Sequence, residues 1–251
     1  MTLAMMAAIA GLGLFAGVMI GCIGIGGVIL VPALTFVGGV PVHVAIAAAM
    51  MAYIVSGLLA TFVFVREQRE NRATAYWLWC GAMPAALAGA WAAKIIPSGV
   101  LEVAIGALVL FSGLNSFWQE RKQSTAERRI GNATAAVLGG LGGFGSALTG
   151  TGGPLVLVPG LLWLGAPVLT AIRLGQAAQF PIASVATVGN FLYGELNLLI
   201  GAILLLSVTA GSAAGTRISQ VLPRVILRRI VSVTLVVIGV TILAHVVGRS
   251  I

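Results

Sequence analysis

From Thr2 to Val65 the chain carries no aspartate, glutamate, lysine or arginine. A hydrocarbon layer about 30 Å thick takes about 20 helical residues to cross. The run is too long for one crossing and has to be divided. The division falls at Gly21-Cys22-Ile23-Gly24-Ile25-Gly26-Gly27 and again at Gly38-Gly39-Val40-Pro41. Glycine weakens a helix and admits close approach of other backbone. The pattern predicts a helix up to about Met19, a break, a half-helix from about Val28 to Val37, and a full crossing from about Pro41 to Val65. A break at membrane depth strands amide and carbonyl groups that lipid cannot satisfy, so it must be buried in protein or line a cavity.

The rest of the chain has the same character. Hydrophobic residues make up 59% and charged residues 8%, with a mean hydropathy of +1.10. Those values exclude a water-soluble domain and imply an all-α polytopic membrane protein. The net charge of +8 sits in short clusters between apolar runs, as in the cytoplasmic loops of membrane proteins. No basic patch is interleaved with aromatics, so no nucleic-acid partner is expected. Cys22 and Cys80 lie in apolar runs without disulfide or metal spacing, and packing roles are expected for both. Met1 to Leu14 has no basic n-region, so no cleavable signal peptide is expected.

After the loop Arg66 to Arg72, crossings are predicted from about Ala73 to Ile96 and from Val100 to Trp118. The longest polar stretch, Gln119 to Arg129, then divides the chain. The expected units are an N-terminal repeat at 1–118, a cytoplasmic linker at 119–130 and a C-terminal repeat at 131–251. The second unit follows the plan of the first. An apolar run from Ile130 to Thr149 meets a second break, Thr149-Gly150-Thr151-Gly152-Gly153-Pro154. A half-helix from about Pro154 to Leu164 follows. Full crossings are then expected at about Pro167 to Tyr193, Leu196 to Leu222 and Ile226 to Val247.

One ungapped offset of 126 residues pairs Gly27 with Gly153, Gly24 with Gly150, Pro41 with Pro167, Asn71 with Asn197 and Pro97 with Pro223. Such self-similarity marks an internal duplication. Basic residues change place between the copies. The loop around Asn71 holds Arg66, Arg69 and Arg72, whereas its counterpart around Asn197 holds only Glu195. The nearly uncharged loop after Pro97 has Arg224, Arg228 and Arg229 in its counterpart. Cytoplasmic loops collect Lys and Arg, so the copies are expected to be two inverted repeats. Each would be a broken helical hairpin plus three full transmembrane helices, with both termini outside.

The acidic residues are Glu67, Glu70, Glu102, Glu120, Glu127 and Glu195, in loops or near crossing ends. That disfavours a carboxylate relay or an acidic cation site, and no cofactor or metal is expected. An anion suits what remains. Half-helices starting near Val28 and Pro154 would aim their amino ends at the breaks, where free N–H groups and the helix dipole favour negative charge. The expected substrate-binding residues are Gly24, Gly26 and Gly27 of the first break with Thr149, Gly150, Thr151, Gly152 and Gly153 of the second. Arg173 lies within a crossing, where arginine usually faces a cavity or a partner. It could hold an oxyanion as a planar fork or snorkel to the interface. Gln176 and Gln179 follow it and complete the expected site. The counterparts of these three are Ala47, Met50 and Tyr53, so the site is expected to be asymmetric. The other reading of the glycines is close helix packing, which suits Gly13, Gly17, Gly21, Gly139 and Gly143. The partners expected are a small anionic solute and the lipid bilayer, with a homodimer left open. A membrane-integral enzyme would need a nucleophile and base, and no such pair is apparent; a non-transporting scaffold is the third alternative.

The sequence resembles the sulfite exporter TauE/SafE family. The resemblance is carried by Gly24-Ile25-Gly26-Gly27 with Pro32, Pro41-Val42-His43-Val44-Ala45, Gly150-Thr151-Gly152-Gly153-Pro154 with Pro159, and Ala166-Pro167-Val168-Leu169-Thr170-Ala171. It extends from about Met6 to Val247. It implies a multi-pass permease of the bacterial cytoplasmic membrane, not an enzyme, that exports small sulfur-containing or organic anions such as sulfite or sulfonates.

Overall fold

The computed structural model describes residues 3–23, 27–118, 130–193, 196–221, 236–237 and 239–240. The described residues are helical and contain no strand. In chain order the helices are α1 (Leu3–Ile23), α2 (Gly27–Pro32), α3 (Val42–Glu67), α4 (Arg72–Ile95), α5 (Ser98–Trp118), α6 (Asn132–Thr149), α7 (Pro154–Trp163), α8 (Val168–Leu192) and α9 (Leu198–Val221). The helix boundaries fall within a few residues of those expected. Gly24, Gly26, nearly all of the linker and most of the expected crossing at 226–247 lie outside the described residues.

Three helical segments, Leu3–Cys22, Val42–Glu67 and Leu198–Ile218, are long and apolar enough to cross a membrane. At 1.5 Å per residue, α3 with its 26 residues is about 39 Å long. The 10 residues of α7 reach only about 15 Å, half a bilayer. α8 matches α3 in length but spends its composition on Arg173, Gln176, Gln179 and Asn190.

Local sequence explains both interruptions. α2 carries Pro32, which has no N–H for the helical ladder. The helix widens after it into a π-helical turn, Ala33–Val37, closed by Gly38 N–H to the Ala33 carbonyl at 3.0 Å. α6 ends at Gly150 with φ +70°, and Gly152 and Gly153 follow at +80° and +112°. Side chains other than glycine rarely tolerate those angles. Pro154 then opens α7 at a position where a missing N–H is harmless. Gly142 lies against Leu157, and Gly160 against Leu138. α7 therefore runs back along α6 in the opposite direction.

Helix packing relies on small residues, which let backbones approach closely. Gly143 of α6 meets Ala82 of α4, and Gly17 of α1 meets Val208 of α9. Gly89 of α4 meets Phe144 of α6, and Gly215 of α9 meets Val18 of α1. Each member of the first contact in a pair lies 126 residues from a member of the second: 17 + 126 = 143, 82 + 126 = 208, 89 + 126 = 215 and 18 + 126 = 144. The contacts are exchanged between the two halves. α3 and α8 form the central crossing and run antiparallel, since Gly57 lies on Phe180, Thr61 bonds Ala177 and Glu67 pairs with Arg173. α3 buries Ala45, Ala47, Ala48, Ala49, Met50, Ala52 and Tyr53 completely in that layer.

Candidate functional site

The two breaks meet at the centre of the α3–α8 crossing. A Cβ built on Gly27 would lie 3.1 Å from the Thr151 carbonyl and 3.2 Å from the Tyr53 phenol. A Cβ on Gly152 would lie 2.9 Å from the Tyr53 ring. Tyr53 thus fills the space that glycine leaves open on both sides, and its hydroxyl donates to the Gly27 carbonyl at 2.6 Å. A Cβ on Gly150 would crowd Ile46, and one on Gly153 would approach Ile182 and the Gly175 carbonyl. Glycine at these positions is required by what lies against them, not only by φ.

Tyr53 stands 11 residues after the first residue of α3 (53 − 42), and Gln179 stands 11 after the first of α8 (179 − 168). They are 126 residues apart, the offset at which the sequence resembles itself. Gln179 is buried, and its amide donates to Ser56 Oγ at 3.4 Å. Ser56 Oγ in turn donates to the Tyr53 carbonyl at 3.3 Å. A phenol on one side and an amide on the other therefore flank the same junction.

The second break supplies the donors. Thr149 Oγ1 donates to the Gly145 carbonyl at 2.7 Å and lies 3.1 Å from Thr151 Oγ1. A hydroxyl has one proton, so Thr149 spends its proton on Gly145 and accepts from Thr151. Thr151 N–H bonds the Ser146 carbonyl at 3.2 Å. Among the described residues the N–H groups of Gly152, Gly153 and Leu155 have no protein acceptor. These amides open α7, where the helix dipole adds partial positive charge. The junction contains no ionised side chain from the described residues. Such a cradle can hold a negative solute by backbone N–H groups without a neutralising cation.

Of the residues expected at the site, Gly27, Thr149, Gly150, Thr151, Gly152, Gly153 and Gln179 come together at the junction. Gln176 is half-buried one helical turn before Gln179 on α8. Arg173 points elsewhere. Its guanidinium pairs with Glu67 at 3.5 Å, at the far end of α3. Glu67 lies 11 residues beyond Ser56 (67 − 56), about 16 Å along the helix axis. Sequence reasoning gives Tyr53 no role of its own. The signal for Tyr53 was its 126-residue register with Gln179. Cys22 donates to the Gly215 carbonyl at 3.3 Å and packs α1 on α9. His43 lies 3.1 Å from the Ile96 carbonyl and ties the start of α3 to the α4–α5 turn.

Residues 9–242 match the family described as Sulfite exporter TauE/SafE. The chain belongs to that family. A Bacillus subtilis (strain 168) relative, described as "Probable membrane transporter protein YunE", is 23% identical over 259 residues, covering 91% of this chain and 93% of that protein. No solved structure matches the chain. TauE/SafE membership and the apolar helices make this a multi-pass membrane protein of a transporter family.

Proposed function

We propose that the chain is a secondary transporter of small sulfur-containing or organic anions, of the sulfite or sulfonate class, in a bacterial cytoplasmic membrane. The observation that carries this reading is the junction itself. Two helix breaks abut around Tyr53, and the amide hydrogens that open α7 there have no partners among the described residues. An arrangement of donors without acidic side chains suits an oxyanion better than a cation.

The architecture proposed is two oppositely inserted copies with the junction near the bilayer midplane. The antiparallel course of the equivalent helices α3 and α8 supports it, as does the exchange of glycine contacts between halves. So does the distribution of basic residues among the loops. Paired, interrupted segments at a repeat interface are the usual seat of a transporter's solute, with access alternating as one unit rocks against the other. In this orientation the loops around Arg66–Arg72, Gln119–Arg129 and Pro223–Arg229 are cytoplasmic.

The deciding experiment is flux into proteoliposomes loaded with or bathed in sulfite, sulfoacetate, thiosulfate or simple carboxylates, with and without a pH gradient. Faster movement of at least one anion than in empty liposomes is expected. Equal rates for the whole panel would end the proposal.

A further inference from the structure

α8 contains Pro181 at its crossing with α3. Proline has no N–H, so the carbonyl four residues earlier, Ala177, loses its donor within the helix. In a bilayer such a carbonyl must be satisfied by a neighbour. Thr61 of α3 offers its single hydroxyl proton, shared between this carbonyl and its own Gly57 carbonyl. Its Oγ1 lies 2.9 Å from the Ala177 carbonyl and 2.8 Å from its own Gly57 carbonyl. In the other copy Val55 stands where Pro181 does, and Thr187 stands where Thr61 does. Val55 has the N–H that Pro181 lacks, so α3 needs no outside donor there. Thr187 Oγ1 accordingly lies buried without a partner among the described residues.

A second polar tie joins the same two segments. Arg173 reaches Glu67 at 3.5 Å, six residues beyond Thr61 on α3 (67 − 61). The segment of α8 before the proline is also the one that covers the second break. A Cβ on Gly175 would lie 3.4 Å from Pro154 Cα, and the Gly175 carbonyl lies 3.6 Å from a Cβ built on Gly153. Proline within a helix is the usual place for it to bend. One segment thus ends at Pro181, has two polar ties to α3, and lays its flank on the opening of α7.

We infer that residues 168–177 of α8 form a gate over the solute junction, hinged at Pro181 and latched to α3 by Thr61 and by Glu67. The latches hold the gate closed toward the side of the Arg66–Arg72 loop. Releasing them swings Gln176 and Gly175 away from Pro154 and opens the junction to that side. The inference deepens the transport reading, because it names what controls access to the proposed site.

The test uses the full chain in inside-out membrane vesicles, with Cys22 and Cys80 replaced by alanine and Gln176→Cys as the only thiol. The readout is the rate of reaction with a membrane-impermeant maleimide. Thr61→Val keeps the shape of the side chain and removes the donor, and it should raise labelling at least about fivefold. Pro181→Ala restores the helical donor for Ala177, so Thr61→Val in that background should change labelling less than about twofold. Equal effects of Thr61→Val in both backgrounds, or none in either, would overturn the hinge. Sulfite flux is measured in parallel vesicles that carry the same Thr61 and Pro181 variants with Gln176 intact. Coupled labelling without flux would leave the hinge standing and remove the transport reading; flux with uncoupled labelling would do the reverse.

Discussion

Tyr53 and Gly27 are joined by a 2.6 Å hydrogen bond from the phenol to the carbonyl that opens α2. The bond ties the central crossing to the first break at a fully buried point, and the Tyr53 ring packs against Gly152 of the second break. Tyr53→Phe keeps the ring and removes one of the donors to a carbonyl that the first turn of α2 also engages. Losing one such hydrogen bond costs about 0.5–1.5 kcal/mol. Thermal unfolding in detergent should shift down accordingly, with a loss of anion flux larger than the loss of folded protein. Unchanged stability and flux would mean that the bond positions nothing.

Gly152→Ala should fail for two reasons. Its φ of +80° is a region that costs a side-chain-bearing residue about 1–2 kcal/mol, and the new methyl would lie 2.9 Å from Tyr53. Gly145→Ala, where the nearest atom is 3.5 Å away, is the control. Gly152→Ala should insert into membranes and lose most anion flux, while Gly145→Ala retains both.

Gly17→Ala and Gly143→Ala should behave alike. Each methyl would run into a backbone carbonyl, Val208 in one case and Ala82 in the other. Overpacking of this kind costs about 1–3 kcal/mol. Matching drops in melting temperature are expected, because the contact is the same one made twice. A large drop for one with none for the other would break the equivalence of the two halves.

Arg173 and Glu67 can be separated from solute binding by exchanging them. The pair is partly exposed, at 35% and 53% of the side-chain surface, and such pairs contribute about 0–1 kcal/mol. Arg173→Glu alone should impair flux, and Arg173→Glu with Glu67→Arg should restore it. A double variant as inactive as the single one would instead make Arg173 a direct ligand of the anion.

Insertion can be read from two loops. A single cysteine at Glu70 should react with an impermeant reagent only from the cytoplasmic side, and one at Glu195 only from outside. Labelling of both from one side would require parallel copies.

Much of the helix plan was legible in the chain because the bilayer imposes it. Runs too long for one crossing had to be broken, and the glycine clusters were where a break was least costly. The second break was readable in still finer detail, since Pro154 can open a helix and Gly150, Gly152 and Gly153 can take the angles that precede one. Arg173 shows where that legibility ends. Sequence spacing gives its depth in a helix but not its direction, and both a solute and a carboxylate would satisfy a guanidinium. Only the antiparallel fit of α8 on α3 brings Glu67 within reach.

Composition and periodicity by themselves determined that the chain is helical and membrane-embedded, because hydropathy and glycine position are properties of one dimension. Tertiary structure alone decided that Tyr53 stands between the breaks and that Thr61 serves the carbonyl freed by Pro181. Those partners are far apart along the chain, and they meet only because glycine at position 57 lets two long helices cross with their backbones nearly in contact.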